Sequence, residues 1–354
     1  TMAVIRKKIM GPPGTGKTHR LVHHYLNEEI NNLHTDPQKI AYVTFTKAAA
    51  LDGSKKVQDV FPGVELLYIS TLHAMGTREL DISRKQILTG TKWIQFKNVY
   101  PVYSDINFDS YVNEHGVTIN QDRNLQVINY SRAKLITLER ACIDLNYHEG
   151  AVDIFRVQQL ERDIEYYKGQ KNMYEFSDMI KLFVDEEKHL ALDAIFLDEA
   201  QDLNPSQWKM FFYIEALCKR SYIAGDDDQT IFKFQGAESN IFIDLEGERD
   251  DQEQSYRVPK AVHEQALKIL PHITKRVDKQ WYAKKEEGEF IENCFLEEIN
   301  FSVGEWMILA TTNKILKEFA GHFYREGLRI FGKGNTILPQ TTLDAYRTWI
   351  KLNQ

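Results

Sequence analysis

Cysteine is scarce in this chain of 354 residues, and the three present, Cys142, Cys218 and Cys294, are widely spaced and odd in number. That excludes a disulfide framework and a thiolate metal cluster, and it points to a reducing compartment. Long apolar runs are missing as well: nothing approaches the roughly 18 apolar residues of a membrane-spanning helix. No charged-then-apolar leader of secretory form opens the sequence, so a cytoplasmic protein that engages no membrane is expected. Positive charge is in deficit, with 44 Lys and Arg against 51 Asp and Glu and a formal charge of -7. A wholly basic nucleic-acid coat is thereby excluded, although a positive groove on one face is not. Internal repeats, low-complexity tracts and a carboxylate–lysine nuclease cluster are absent. Glu264, His272 and the histidines His19, His23 and His24 read as helix surface or packing residues, so no metal beyond Mg2+ is expected. What remains is 43% hydrophobic and 27% charged, the composition of a folded protein with room for two or three cores.

Ten residues in stands Gly11-Pro12-Pro13-Gly14-Thr15-Gly16-Lys17-Thr18, which fits the phosphate-cradling pattern G-x-x-x-x-G-K-[ST] at every fixed position. The run from Ala3 to Met10 reads as a buried strand and Thr18 to Leu26 as the helix after it, the setting this loop requires. Glycines allow the turn, and backbone N–H groups and the helix N-terminus attract phosphate. Lys17 reaches the outer phosphates, and the Thr18 hydroxyl is placed to ligate Mg2+. Strand-like runs recur at Lys39 to Thr46, Val64 to Thr71, Ala194 to Glu199 and Ser221 to Asp226, separated by helical stretches. The expected fold is therefore α/β, a P-loop NTPase with a parallel sheet whose ligands sit at the carboxyl ends of strands. Between about Arg78 and Gln170 strand signals nearly vanish, and Asn124 to Leu145 and Val152 to Tyr167 carry helical periodicity, which reads as a helical insertion. A polar, turn-rich segment from Val277 to Glu287 precedes a later region. Strands are expected there near Gly288 to Cys294, Trp306 to Thr311 and Leu328 to Phe331, with a helix from Lys314 to Arg325.

Asp198-Glu199, closing an apolar strand, supplies the second half of such a site. Asp198 suits the metal, and Glu199 is the nearest carboxylate to orient or deprotonate the attacking water. The sequence Gly225-Asp226-Asp227-Asp228-Gln229 ends another strand with three adjacent like charges. Gln229 both donates and accepts, so it can sense a terminal phosphate or position water.

These blocks, with Val43 to Ala50, Ser70-Thr71-Leu72-His73, Leu197 to Asp202, Gly225 to Phe232 and Glu253-Gln254-Ser255-Tyr256-Arg257, stand in the order found in the UvrD/PcrA/Rep group of superfamily 1 DNA helicases. The chain resembles that group from residue 11 to residue 257. The resemblance implies a RecA-like domain 1A over 1–77 and 171–256, interrupted by helical domain 1B at 78–170, then a partial second RecA-like domain 2A over 257–354. It also implies ATP and Mg2+ as cofactors, and single-stranded DNA, or DNA with a single-stranded tail, as partner of a monomer. By the same resemblance the phosphate loop, Gly11 to Thr18, holds the nucleotide, Glu199 is the base and Gln229 the γ-phosphate sensor. Arg257 contacts the γ-phosphate, Tyr256 stacks on adenine, and Gln201 and Asp202 link hydrolysis to the DNA-side loops. Thr44, Phe45, Thr71 and His73 match DNA-contacting positions. Phe45 and Phe234 are the candidate base platforms, each stacked base contributing roughly 1–3 kcal/mol.

The sequence also departs from the group. Gln235 stands where arginine is usual, Phe234 where tryptophan is usual, and no glutamine-bearing segment precedes the phosphate loop. Thr342 to Ile350 resembles the first helix of the 2B insertion, after which the chain stops. The later motifs bring an arginine finger worth about 10^3 to 10^5 in rate, so weak hydrolysis by this chain alone is expected. A fragment of a longer product and a short phage or prophage version both remain open. So do a nucleotide-gated DNA-binding module that never unwinds and an unrelated P-loop NTPase or small-molecule kinase.

Overall fold

The structure is a computed structural model that describes residues 4–108, 110–112, 118–120, 122–147, 150–301, 303–310 and 313–325. Two compact units divide the chain, residues 1–289 and residues 290–354. The first unit is built on β1 (Ile5–Met10), β2 (Ile40–Thr44), β3 (Tyr68–Thr71), β6 (Ala194–Asp198), β7 (Arg220–Gly225) and β8 (Glu248–Asp251), while β4 (Ser110–Val112) and β5 (Thr118–Asn120) form a separate antiparallel pair. The six-stranded sheet has the order β3-β2-β6-β7-β1-β8, and every pairing in it is parallel. The register sets Thr44 beside Asp198 and Met10 beside both Gly225 and Asp251. The carboxyl ends that carry the expected site therefore lie along one edge.

Strands buried on both faces read as continuous apolar runs, which is why β6 is visible in the sequence. Its residues alternate between two cores: Ile195 and Leu197 pack with Val43, Trp208, Phe211 and Phe242, and Ala194 and Phe196 pack with Leu21, Leu26, Tyr42 and Tyr222. On those faces lie α1 (Lys17–His19), which continues through wider turns at Arg20–Leu26 and Glu28–Asn32, α2 (Lys47–Val60) and α3 (Leu72–Glu79). Thr46 and Thr71 cap α2 and α3 by accepting from Ala49 N and Ala74 N. Between α3 and α8 (Phe176–Asp185) come α4 (Thr91–Val99), α5 (Arg123–Lys134), α6 (Leu138–Asp144) and α7 (Ile154–Lys171). These helices gather around a third core of Phe96, Tyr103, Ile128, Leu160 and Ile164. The region expected to be helical is so, with the short β4–β5 pair added. A buried charge network joins it to α8: Arg132 donates to Glu175 at 2.5 Å, and Lys168 pairs with Glu175 at 3.1 Å and Asp178 at 2.8 Å. After β6 follow α9 (Pro205–Glu215), α10 (Ser239–Asp244) and α11 (Lys260–Ile269).

Strand β8, sequence Glu-Arg-Asp-Asp, carries no apolar signal and was not expected. It sits at the sheet edge with three of its four residues exposed, and its Asp250 is tied down by Arg20 and Tyr25, each at 2.7 Å. In the second unit α12 (Asn313–Arg325) forms as expected, and Phe301 packs on Phe323 at 4.7 Å between ring centres. The strands expected near 288–294 and 306–311 are not found among the described residues. A strand exists only when a neighbour takes up its N–H and C=O groups, and neither stretch has such a ladder among the described residues. The expected strand at 328–331 and helix at 342–350 lie outside the described residues. No described helix is long and apolar enough to cross a membrane.

Candidate functional site

The loop between β1 and α1 turns through two left-handed residues, Gly14 at φ 72° and Gly16 at φ 87°, a backbone region that side chains disfavour. A Cβ on Gly14 would lie 2.4 Å from the Cβ of Arg257, whereas one on Gly16 would meet nothing closer than 3.9 Å. The loop is thus sealed on the Arg257 side and open around Gly16. Lys17 Nζ donates to Gly11 O at 2.7 Å and Pro12 O at 3.4 Å, so its ammonium rests over the loop. The Thr18 hydroxyl donates to Asp198 Oδ2 at 2.7 Å. Two groups 180 residues apart in sequence, both expected at the metal, are therefore in contact.

Asp198 is further fixed by the buried Tyr42 hydroxyl at 2.9 Å and by the Glu199 N–H at 3.0 Å. Glu199 itself adopts φ 57° and ψ 45°, a conformation costly for a residue with a side chain and often found at working sites. Burial, then the charge of Asp198, pushes its carboxyl above the usual range, with Lys17 opposing. Such a shift suits a general base. Gln201 links two blocks of the site: its Nε2 donates to Glu199 at 2.8 Å, and its Oε1 accepts from Asp226 N at 3.0 Å. Asp202 is 8% exposed with Oδ1 unpartnered among the described residues. Burial, then Glu199, pushes its carboxyl up to about 8. Gln229 turns back on its own strand end, its amide donating to Asp226 Oδ2.

The segment after β8 docks on the phosphate loop. Gln252 N donates to Met10 O at 2.7 Å, Tyr256 N to Gly14 O at 2.9 Å, and the fully buried Ser255 donates its hydroxyl to Pro13 O at 2.7 Å. Ser255 Oγ also accepts from Arg257 N and Val258 N. Tyr256 thereby stands at the loop with 76% of its surface exposed, and Arg257 lies exposed against Gly14.

The five positions expected to meet DNA divide in two. Thr44 and Thr71 are buried, the first donating to Thr46 O at 2.9 Å and the second capping α3. His73, at the start of α3, is held neutral by burial, which lowers its imidazole to about 4. Phe45 is half-buried against Phe232, ring centres 5.0 Å apart, and Phe234 follows at 6.3 Å from Phe232 with 56% of its surface exposed. Beside it both amide atoms of Gln235 are buried and unpartnered among the described residues. Sequence reasoning did not find the roles of Tyr42, Gln252 or Ser255. Ser255 lay within a quoted block, but nothing local marks a serine as a clamp on a loop 242 residues away.

This donor set fits a magnesium-bound nucleoside triphosphate. A hydroxyl and a carboxylate in contact are oxygen ligands of the kind Mg2+ takes, and the Lys17 ammonium lies over a loop that is open around Gly16. A parallel sheet with this loop after β1 and acidic residues ending β6 defines a RecA-like P-loop NTPase. The family described as the UvrD/REP helicase N-terminal domain matches residues 6–250, and the chain belongs to that family. It is 26% identical over 307 residues to the ATP-dependent DNA helicase PcrA of Bacillus subtilis (strain 168), covering 79% of this chain and 39% of that protein. To the ATP-dependent DNA helicase PcrA of Leuconostoc citreum it is 23% identical over 313 residues, 80% of this chain and 39% of the relative. The chain thus spans about two fifths of the length of these relatives.

Proposed function

We propose that this chain is the ATP-binding portion of an ATP-dependent DNA helicase or translocase, acting in the cytoplasm on single-stranded DNA or a single-stranded tail. Hydrolysis would be coupled to movement in the complete protein. The observation that carries this reading is the 2.7 Å contact of Thr18 with Asp198, beside a loop onto which the Tyr256–Arg257 segment is docked. In this reading residues 1–77 and 171–256 form domain 1A, 78–170 domain 1B and 257–354 part of 2A.

Lys17 and the loop amides bind the phosphates, and Thr18 and Asp198 would hold Mg2+, which would supply neutralisation of phosphate charge. Glu199 accepts the proton of the attacking water, its raised basicity matched to that task. Gln229 and Arg257 contact the γ-phosphate, and the exposed Tyr256 ring stacks on the base. On the DNA side Phe234 is the better-exposed platform, Phe45 supports it through Phe232, and Thr44, Thr71 and His73 shape the strand-end surface around them.

Two measurements test the reading. Lys17→Ala removes charged hydrogen bonds worth about 1.5–3 kcal/mol each, so affinity for a fluorescent ATP analogue should fall roughly 10- to 100-fold. Unchanged affinity would show that the phosphates bind elsewhere. ATP turnover by the complete protein should rise when single-stranded oligonucleotide is added, while turnover by this chain alone should stay weak. Turnover indifferent to DNA would remove the helicase reading, and nucleotide-dependent DNA binding without turnover would favour a gated binding module.

A further inference from the structure

The three carboxylates that end β7 enclose an ammonium. Oxygens of Asp226, Asp227 and Asp228 lie within 4.8 Å of one another, an arrangement open to a metal ion. The position among them is taken by Lys279, from a segment 51 to 53 residues further along. Its Nζ lies 2.8 Å from Asp226 Oδ1 and 2.9 Å from Asp228 Oδ2, and it also donates to Asp227. The Lys279 side chain is 2% exposed. Arg276 forks onto both oxygens of Asp228 at 2.9 Å, and Val277 N donates to Asp227 Oδ2 at 2.7 Å. An ammonium has three donors and no acceptor, one for each carboxylate. Carboxylates packed this closely repel one another, and a cation held among them offsets that repulsion.

The cluster reaches the reaction centre through Asp226. That residue accepts the amide of Gln229 on Oδ2 while its Oδ1 accepts from Lys279, and its N–H donates to Gln201, which holds Glu199. We propose that Lys279 is a positioning residue for γ-phosphate sensing, an internal cation that keeps Mg2+ out of the triad and fixes Asp226 and hence Gln229. This rests on the proposed NTPase reading and names a residue of its sensor that the sequence pattern does not disclose. A guanidinium is planar and larger, so arginine does not replace it.

The experiment compares the whole chain with its Lys279→Ala variant. Fluorescent ADP and a nonhydrolysable ATP analogue are titrated with and without methylammonium, and Mn2+ binding is followed by electron paramagnetic resonance without nucleotide. The variant should lose its preference for triphosphate over diphosphate by about tenfold, with ADP affinity little changed, and methylammonium should restore it. It should also bind a Mn2+ ion that the unaltered chain does not. A merely structural lysine would weaken both nucleotides together, and an unchanged preference would overturn the proposal. Absence of the new Mn2+ site would overturn its cation-filling part. Should the variant fail to fold, Lys279→Met combined with Asp227→Asn keeps the cluster's net charge, and the same preference is read from it. If the unaltered chain bound no nucleotide, the NTPase reading itself would fall, a result distinct from a failure confined to the variant.

Discussion

At the scale of single residues, the site combines groups whose environments set their protonation. Asp202 holds its proton in the folded protein up to about pH 8, whereas in the unfolded chain it releases it near about pH 4. Between those values the native state binds more protons, so stability falls as pH rises through that window. Asp202→Asn removes this titration. The variant should gain thermal stability relative to the unaltered protein on going from pH 5 to pH 8, by up to about 1.4 kcal/mol for each pH unit crossed. Melting curves at the two pH values check this, and a pH-independent difference would show Asp202 ionised when folded. Lys17, Thr18, Asp198 and Glu199 were legible because a glycine-rich turn and an apolar strand ending in acid are local patterns. Lys279, Ser255 and Tyr42 were not, because each acts through a contact that only the folded chain creates. The unpartnered amide of Gln235 lies at a departure that the sequence did disclose.

At the scale of elements, packing decides which sequence signals survive. Helices α3 and α8 approach so closely that a Cβ on Gly76 would lie 2.8 Å from Met179 O. Alanine in a helix interior is favoured over glycine by about 1 kcal/mol, but overlap with backbone costs about 1–3 kcal/mol, so Gly76→Ala should destabilise. Gly169 in α7 has open space at the same position, and Gly169→Ala should stabilise by up to about 1 kcal/mol. Opposite shifts of the denaturation midpoint verify the pair, and shifts of one sign would refute the close approach. Buried strands such as β2 and β6 were legible from unbroken apolar runs. The polar edge strand β8 was not, because its place is set by pairing with β1 and by Arg20 and Tyr25 rather than by its own composition. At 288–294 and 306–310, where strands were expected, the described residues form none.

At the scale of the whole molecule, the sheet assembles a site from distant sequence by setting its strand ends level. The glycine-rich loop after β1, the acids ending β6, the Asp226–Gln229 turn after β7 and the 252–258 segment after β8 all lie along that edge. The helices of the 78–170 region keep a core of their own and join α8 through Arg132 and Lys168. Lys17, Thr18, Asp198 and Glu199 are expected to surround a single magnesium-bound triphosphate. A crystal structure of the chain with a nonhydrolysable ATP analogue and Mg2+ tests it most directly. The expected result is phosphates wrapped by Gly11 to Thr18 and the metal held by the Thr18 hydroxyl with Asp198 beside it. An analogue bound elsewhere, or a metal remote from Thr18 and Asp198, would contradict it.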